Sequence, residues 1–231
     1  MPPVAFEAVV FDWYGTLAAP APEDWWQQML TLIEDAGARP SAEAFTDWST
    51  PETVHPQHSA SEGAYRRYEE SLLDRLLGQS KLSDRQCSEL RPRILALRDA
   101  ELVPIFPDVH ETLEHLLGEG VRLALCSNWS WDLDRHLAFN SLDDAFEVVV
   151  CSAVVGYRKP HPQIFSTLLE ALDLPPGRVA FVGDDWNADV QGARAAGLVP
   201  VHLARAACAV ELHEGVACAS DLRAVRALLG A

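Results

Sequence analysis

Apolar residues fall along this chain in two different patterns. Short continuous runs occur at AVVFD (8–12), RLALCSN (122–128), EVVVCS (147–152) and VAFVGDD (179–185), with LVPVHLA (198–204) a fifth. Runs of this length, apolar without alternation, predict strands buried on both faces. All but the first are separated by helix-length segments. In PDVHETLEHLLGEG (107–120), Val109, Leu113, Leu116 and Leu117 recur at helical spacing. Asp108 is the expected N-cap, with Glu111 three residues on, and Gly118 and Gly120 end the helix. Segments 161–173 and 187–197 read the same way. Buried strands alternating with helices predict a parallel sheet covered on both sides.

Residues 18–104 follow the other pattern. PEDWWQQMLTLIEDAG, SAEAFTDWS, SEGAYRRYEESLLDRLLG and SDRQCSELRPRILALRDAEL are all helix-like, and nothing between them reads as a strand. A helical insertion therefore follows the first strand, and the chain returns near VPIFPDV (103–109). In an open parallel sheet, sites form at the carboxyl ends of the strands near the switch in strand order. Here the first, second and fourth strands end on FDWYGT, CSNWSW and VGDDWNAD, so polar chemistry is expected to converge there.

Composition narrows the partners. The chain has 231 residues, 48 % of them hydrophobic, enough for one domain plus a large insertion. Its formal charge of −16 argues against a nucleic-acid partner and against an anionic membrane surface. An anionic small-molecule substrate must then be drawn in by a local cation. The cysteines, Cys87, Cys126, Cys151, Cys208 and Cys218, are odd in number and lack close-pair metal spacing, so they are expected to be reduced residues of a cytoplasmic protein. No basic segment leads into a long apolar stretch, and no run approaches membrane-spanning length, so neither targeting nor insertion is expected. Monomer and homodimer both remain open.

FDWYGTL, LALCSN, YRKPHP and FVGDDWNADVQGARAAG, in that order and with a cap-sized insertion after the first, resemble the motifs of the haloacid dehalogenase (HAD) superfamily. The resemblance implies an α/β Rossmann-like parallel sheet core (1–17 and 104–231) with an all-helical cap (18–103). It implies that Asp12 is a nucleophile forming a covalent aspartyl intermediate, which water then hydrolyses. Ser127 matches the residue that hydrogen-bonds the transferring group, and Lys159 the one that offsets negative charge. Gly15 and Thr16 fit either simple turn chemistry or a turn whose N–H groups and hydroxyl face an anion. Asn128 and Trp129, with Tyr14, are expected on the substrate side, whereas Arg158 and His161 read as solvated or structural.

Asp184, Asp185 and Asp189 are expected near Asp12. Two like charges about 4 Å apart repel by about 4 kcal/mol at an effective dielectric near 20, so such a cluster calls for a cation. Oxygen-only ligands favour Mg2+. By resemblance the ligands are Asp12, Asp184 and the carbonyl oxygen of Tyr14, with Asp189 acting behind them or through water. Asp185 either joins Asp189 or caps the following helix.

Tyr14 divides the readings. Phosphatases of this superfamily usually carry an acid there, and a phenol with a reference pKa near 10 is a poor proton donor at neutral pH. D-x-Y-G-T is similar to the 2-haloacid dehalogenase branch, whose departing halide needs no proton. That branch, however, typically has small polar residues and an asparagine where this chain has Asp184, Asp185 and Trp186, and a tyrosine in place of Phe165. Its carboxylate-binding arginine has only Arg39, Arg66 and Arg67 as unplaced candidates. The acidic cluster favours a magnesium-dependent phosphatase acting on a small phosphorylated metabolite. A dehalogenase-like hydrolase and a non-catalytic binding protein are the alternatives. The loop tryptophans Trp13, Trp129, Trp131 and Trp186 either face substrate or pack structurally, and Trp25, Trp26 and Trp48 either form a lid or a bundle core.

Overall fold

A computed structural model describes residues 6–19, 24–41, 54–205 and 215–229. Six strands, β1 (Ala8–Phe11), β2 (Arg122–Ser127), β3 (Val148–Cys151), β4 (Val179–Gly183), β5 (Val199–Leu203) and β6 (Ala217–Ala219), form one sheet in the order β3-β2-β1-β4-β5-β6. Every pairing is parallel. The first strand lies at the centre, between β2 and β4, where the strand order reverses, so its carboxyl end opens on the crevice. Five strands are those expected from the apolar runs. The sixth was missed because a three-residue edge strand, ACA, is too short to show a period.

Both faces of the sheet are covered. Val9, Phe11, Leu123 and Leu125 point to one side, where α4 (Val109–Gly118), α5 (Leu133–Phe139) and α9 (Leu222–Leu229) pack. Ala8, Val10, Ala124 and Phe181 point to the other, against α7 (Pro162–Leu172) and α8 (Gly192–Ala195). A short α6 (Ser152–Val155) follows β3. Alternate residues of one strand thus serve two separate cores, which is why no polar alternation is visible in the sequence.

The insertion is helical among the described residues, with α1 (Trp25–Asp35), α2 (Glu62–Gln79) and α3 (Asp84–Ala100). Each opens on a residue whose side chain accepts an N–H of the first turn: Asp24, Ser61 and Ser83. Met29, Ile33, Leu73, Leu76, Leu77, Leu90 and Ile94 form their shared apolar centre. Tyr65, Tyr68 and Leu72 of α2 instead join the core on the sheet, so this helix links the two layers. Most of SAEAFTDWS, including Trp48, lies outside the described residues.

Two expectations are corrected. Asp108 precedes α4 but makes no side-chain cap there. Its carboxylate accepts from the Leu222 N–H at 2.9 Å, at the start of α9, and from the Arg205 guanidinium at 3.1 Å. Arg205 also donates to the Thr16 carbonyl at 2.8 Å and lies 3.7 Å from the Phe106 ring centroid. The better acceptor geometry lay across the fold, not along the chain. Cys218 is disulfide-bonded, with its partner outside the described residues, whereas Cys87, Cys126 and Cys151 are free. Five reduced thiols are therefore not found, and that argument for a reducing compartment falls. Among the described residues, no helix is long and apolar enough to cross a membrane.

Burial pushes the Asp108 carboxyl up, but Arg205 and the Leu222 amide outweigh it and hold it below its ordinary value. A carboxyl depressed on folding contributes stability above its unfolded pKa and loses it as pH falls through the folded one. Asp108→Asn is expected to lower the unfolding free energy by about 2 kcal/mol at pH 7. In urea melts the gap between variant and wild type should close below about pH 4; a gap unchanged by pH would assign the loss to packing.

Candidate active site

Asp12 directly follows β1, Lys159 lies in the loop before α7, and Asp184 directly follows β4. Asp189 lies in a π-helical turn, Trp186–Gln191, where an ordinary α-helix was expected. The fold brings these four side chains together from positions up to 177 residues apart. Lys159 Nζ lies 2.6 Å from Asp12 Oδ1, 2.6 Å from Asp189 Oδ1 and 2.8 Å from the Cys126 carbonyl oxygen. The ammonium is buried, and three acceptors match its three N–H donors. Burial alone would lower the Lys159 pKa, but the charges of Asp12 and Asp189 raise it above its ordinary value. Burial pushes the Asp189 carboxyl up against the opposing pull of Lys159.

Local structure fixes each member. The Asn128 side chain grips the backbone of Lys159 from both sides, accepting its N–H at 2.7 Å and donating to its carbonyl at 3.0 Å. Asp189 Oδ2 accepts from the Asp185 N–H at 3.0 Å. Asp185 itself caps the turn, accepting from the Asn187 and Ala188 N–H groups, so of its two sequence readings it takes the structural one. A Cβ at Gly183 would lie 2.3 Å from the Asp189 carboxylate carbon. Only glycine lets β4 pass so close to that side chain.

The turn after Asp12 is built around Asp184. Gly15 has φ +85°, and a Cβ there would lie 2.3 Å from Asp184 Oδ2. Thr16 is buried and its hydroxyl donates to Asp184 Oδ1 at 3.2 Å. The Gly15 N–H donates to the Ala18 carbonyl. Of their two sequence readings the turn chemistry is the one seen here: the Gly15 N–H closes the turn and the Thr16 hydroxyl seats a carboxylate. Oxygens of Asp12, Asp184 and Asp189 lie within 4.8 Å of one another, an all-oxygen set able to hold a hard divalent ion. Burial, and next the charge of Asp12, push the Asp184 carboxyl up to about 6. One lysine therefore does not neutralise the cluster.

Tyr14 donates its hydroxyl to Asp24 Oδ2 at 3.2 Å, and its ring lies 5.8 Å from that of Trp129. Burial, then the Asp24 charge and hydrogen bond, push its pKa up to about 12. Ser127 ends β2 and is buried. Asn128 and Trp129 line a cavity of about 500 Å³ between the helical insertion and the sheet, whereas Asp12, Asp184 and Asp189 do not line it. Trp25 and Trp26 line it too, while Trp13 is fully buried in the core, where Trp131 packs, and Trp186 lies edge-on to His202. Of the unplaced cap arginines, Arg39 pairs with Glu34 and Arg66 with Glu62, and neither these nor Arg67 lines the cavity. Arg98 and Arg158 do, so Arg158 is not merely a solvated residue. His161 is structural, capping α7 through its ring nitrogen.

Replacing the buried cation leaves two facing carboxylates without compensation. Lys159→Met is expected to cost about 3–5 kcal/mol at pH 7.5 in denaturant melts. Carboxyls raised by folding destabilise above their unfolded pKa, so the cost should shrink as the pH is lowered towards 5. A pH-independent cost would argue against charge repulsion.

The fold is shared with known proteins. Phosphoserine phosphatase of Thermus thermophilus is 32 % identical over 162 residues, 64 % of this chain and 65 % of that protein. The match thus spans a little under two-thirds of this relative's length. A HAD phosphatase from Thermococcus onnurineus aligns with TM-score 0.65 at 22 % identity, over 97 % of this chain and 98 % of that one. A 2-haloacid dehalogenase from Pseudomonas syringae aligns with TM-score 0.63 at 21 % identity, over 97 % and 98 %. At such identities the two structures speak for the fold alone. Residues 6–197 match the haloacid dehalogenase-like hydrolase family, and the chain belongs to it.

Proposed function

We propose that this hydrolase is a magnesium-dependent phosphatase of a small phosphorylated metabolite, working through Asp12. The observation that carries the reading is Lys159, fixed 2.6 Å from both Asp12 and Asp189, beside a third carboxylate whose charge it leaves unbalanced. The ionised Asp12 oxygen attacks phosphorus, the bond from phosphorus to the leaving oxygen breaks, and water then cleaves the aspartyl phosphate. Lys159 holds Asp12 in place by its hydrogen bond, and its charge offsets that of the arriving phosphate. Ser127 hydrogen-bonds the transferring group. Residues 18–103 act as a cap on the core formed by 1–17 and 104–231, closing the reaction off from water.

The donor set fits Mg2+: Asp12, Asp184 and the Tyr14 backbone carbonyl would hold it, with Asp189 behind them fixed by Lys159 and the Asp185 amide. Bound there, the ion would supply charge balance for a dianionic phosphate. The backbone carbonyl is independent of the side chain at 14, so a tyrosine is compatible with metal binding. The phosphoserine phosphatase relative supports phosphoryl chemistry over dehalogenation. Hydrolysis of p-nitrophenyl phosphate is expected to require Mg2+, to stop with a chelator and to vanish in Asp12→Asn, with no halide released from 2-chloropropionate. Metal-independent chloride release would reverse the choice.

Tyr14 gives its hydroxyl to Asp24, so the leaving oxygen receives no proton from residue 14. Leaving groups that depart unaided, phenolates and acyl phosphates, are therefore preferred. Tyr14→Asp is expected to raise kcat for alkyl phosphates about tenfold or more, the low end of what a positioned acid contributes, and kcat for aryl phosphates much less. Equal gains would show that proton transfer is not limiting.

A further inference from the structure

The cavity beside the Asp12–Lys159 pair has walls of unusual make-up. Trp25, Trp26, Tyr65 and Trp129 face it together with leucines and Ile94, so its surface is mostly apolar and aromatic. It adjoins the site through Asn128, which lines the cavity and holds the Lys159 backbone. A volume of about 500 Å³ has room for one aromatic ring and its substituents.

The charged side chains of the wall are nearly all engaged. Glu69 accepts from Ser130 and pairs with Arg98, and Arg98 also pairs with Asp99. Asp132 accepts from the Trp129 indole at 3.2 Å and pairs with His136. Glu101 accepts from the Trp25 N–H at 2.9 Å. Arg158 differs: its guanidinium is half-buried, lines the cavity, and has neither a hydrogen-bond nor an ion-pair partner among the described residues. A fork of five donors held at an apolar wall without an acceptor suits a planar anion, which it can bind with two parallel hydrogen bonds.

We propose that this cavity receives the leaving group of the substrate and that Arg158 binds a carboxylate on it, so that the substrate is the phosphate ester of an aromatic hydroxy acid. The ester part of this assignment rests on the phosphatase reading; the aromatic carboxylate part does not. The two fit chemically, because a phenolate leaves without the proton that Tyr14 withholds. Aromatic walls stack on the ring, the arginine fixes the far end, and together they orient the phosphorus towards Asp12.

Three phenols of one shape and different charge test this: 4-hydroxybenzoate, 4-hydroxybenzamide and 4-hydroxybenzylamine, titrated calorimetrically into the full chain. The carboxylate is expected to bind about tenfold more tightly than the amide, the scale of one charge-assisted hydrogen bond. Arg158→Gln should reduce that preference to within about twofold, and Arg158→Lys, which keeps the charge but not the fork, should retain part of it. Equal binding of the three, binding of none, preference for the amine, or a preference that survives Arg158→Gln overturns the proposal. None of the ligands carries phosphate. A wild type that binds 4-hydroxybenzoate as expected but fails to hydrolyse its phosphate ester would overturn the phosphatase reading and leave the carboxylate site standing.

Discussion

A buried ammonium between two carboxylates sets the terms for everything around it. Lys159 is almost wholly removed from water, and so is Asp189. Neither charge would survive there alone, and together they hold only because the geometry satisfies nearly every donor and acceptor. That requirement propagates outward. The asparagine clamp on the Lys159 backbone, the Asp185 amide behind Asp189 and the bare α-carbon of Gly183 all serve to keep three atoms within hydrogen-bond range. The widened turn at Trp186–Gln191 carries Asp189 to this place. π-helical turns are uncommon and concentrate at functional sites.

The same charges explain the division of labour in the first loop. Asp12 faces the lysine, whereas Asp184 is seated by the Thr16 hydroxyl and stays open to solvent and to any cation. Tyr14 instead donates its hydroxyl to Asp24, just before α1, and its ring meets that of Trp129. Residue 14 therefore belongs as much to the helical layer as to the loop that follows Asp12. A change there alters how the two layers meet as well as the local chemistry.

Much of this was legible in the sequence because it depends on local rules. Five strands announce themselves as unbroken apolar runs, and the position of Asp12, Ser127 and Asp184 at strand ends follows from the crossover rule once those strands are placed. Tyr14 stood out because one residue departed from an otherwise consistent motif. What escaped depended on distant partners. Asp108 has every local mark of a helix cap, yet Arg205, 97 residues later, and the Leu222 amide claim it. Thr16 looks like an anion-binding hydroxyl until Asp184 is placed beside it. Arg158 reads as a solvated neighbour of Lys159 because only the tertiary fold reveals that it borders a cavity. A paired cysteine at 218 likewise carries no sign in its own surroundings.

Arg205 has a consequence for how the molecule comes into being. Its guanidinium ties the carbonyl of Thr16 to the carboxylate of Asp108, joining the loop that bears Asp12 to the start of α4 from a point beyond β5. During synthesis the loop bearing Asp12 leaves the ribosome well before β4 and this tie, which lie 167 and 193 residues further on. That turn thus stays unbraced until this later segment has been made. A nascent fragment ending short of that arginine holds the full set of acidic and basic groups of the site without the buttress that keeps their loop in place.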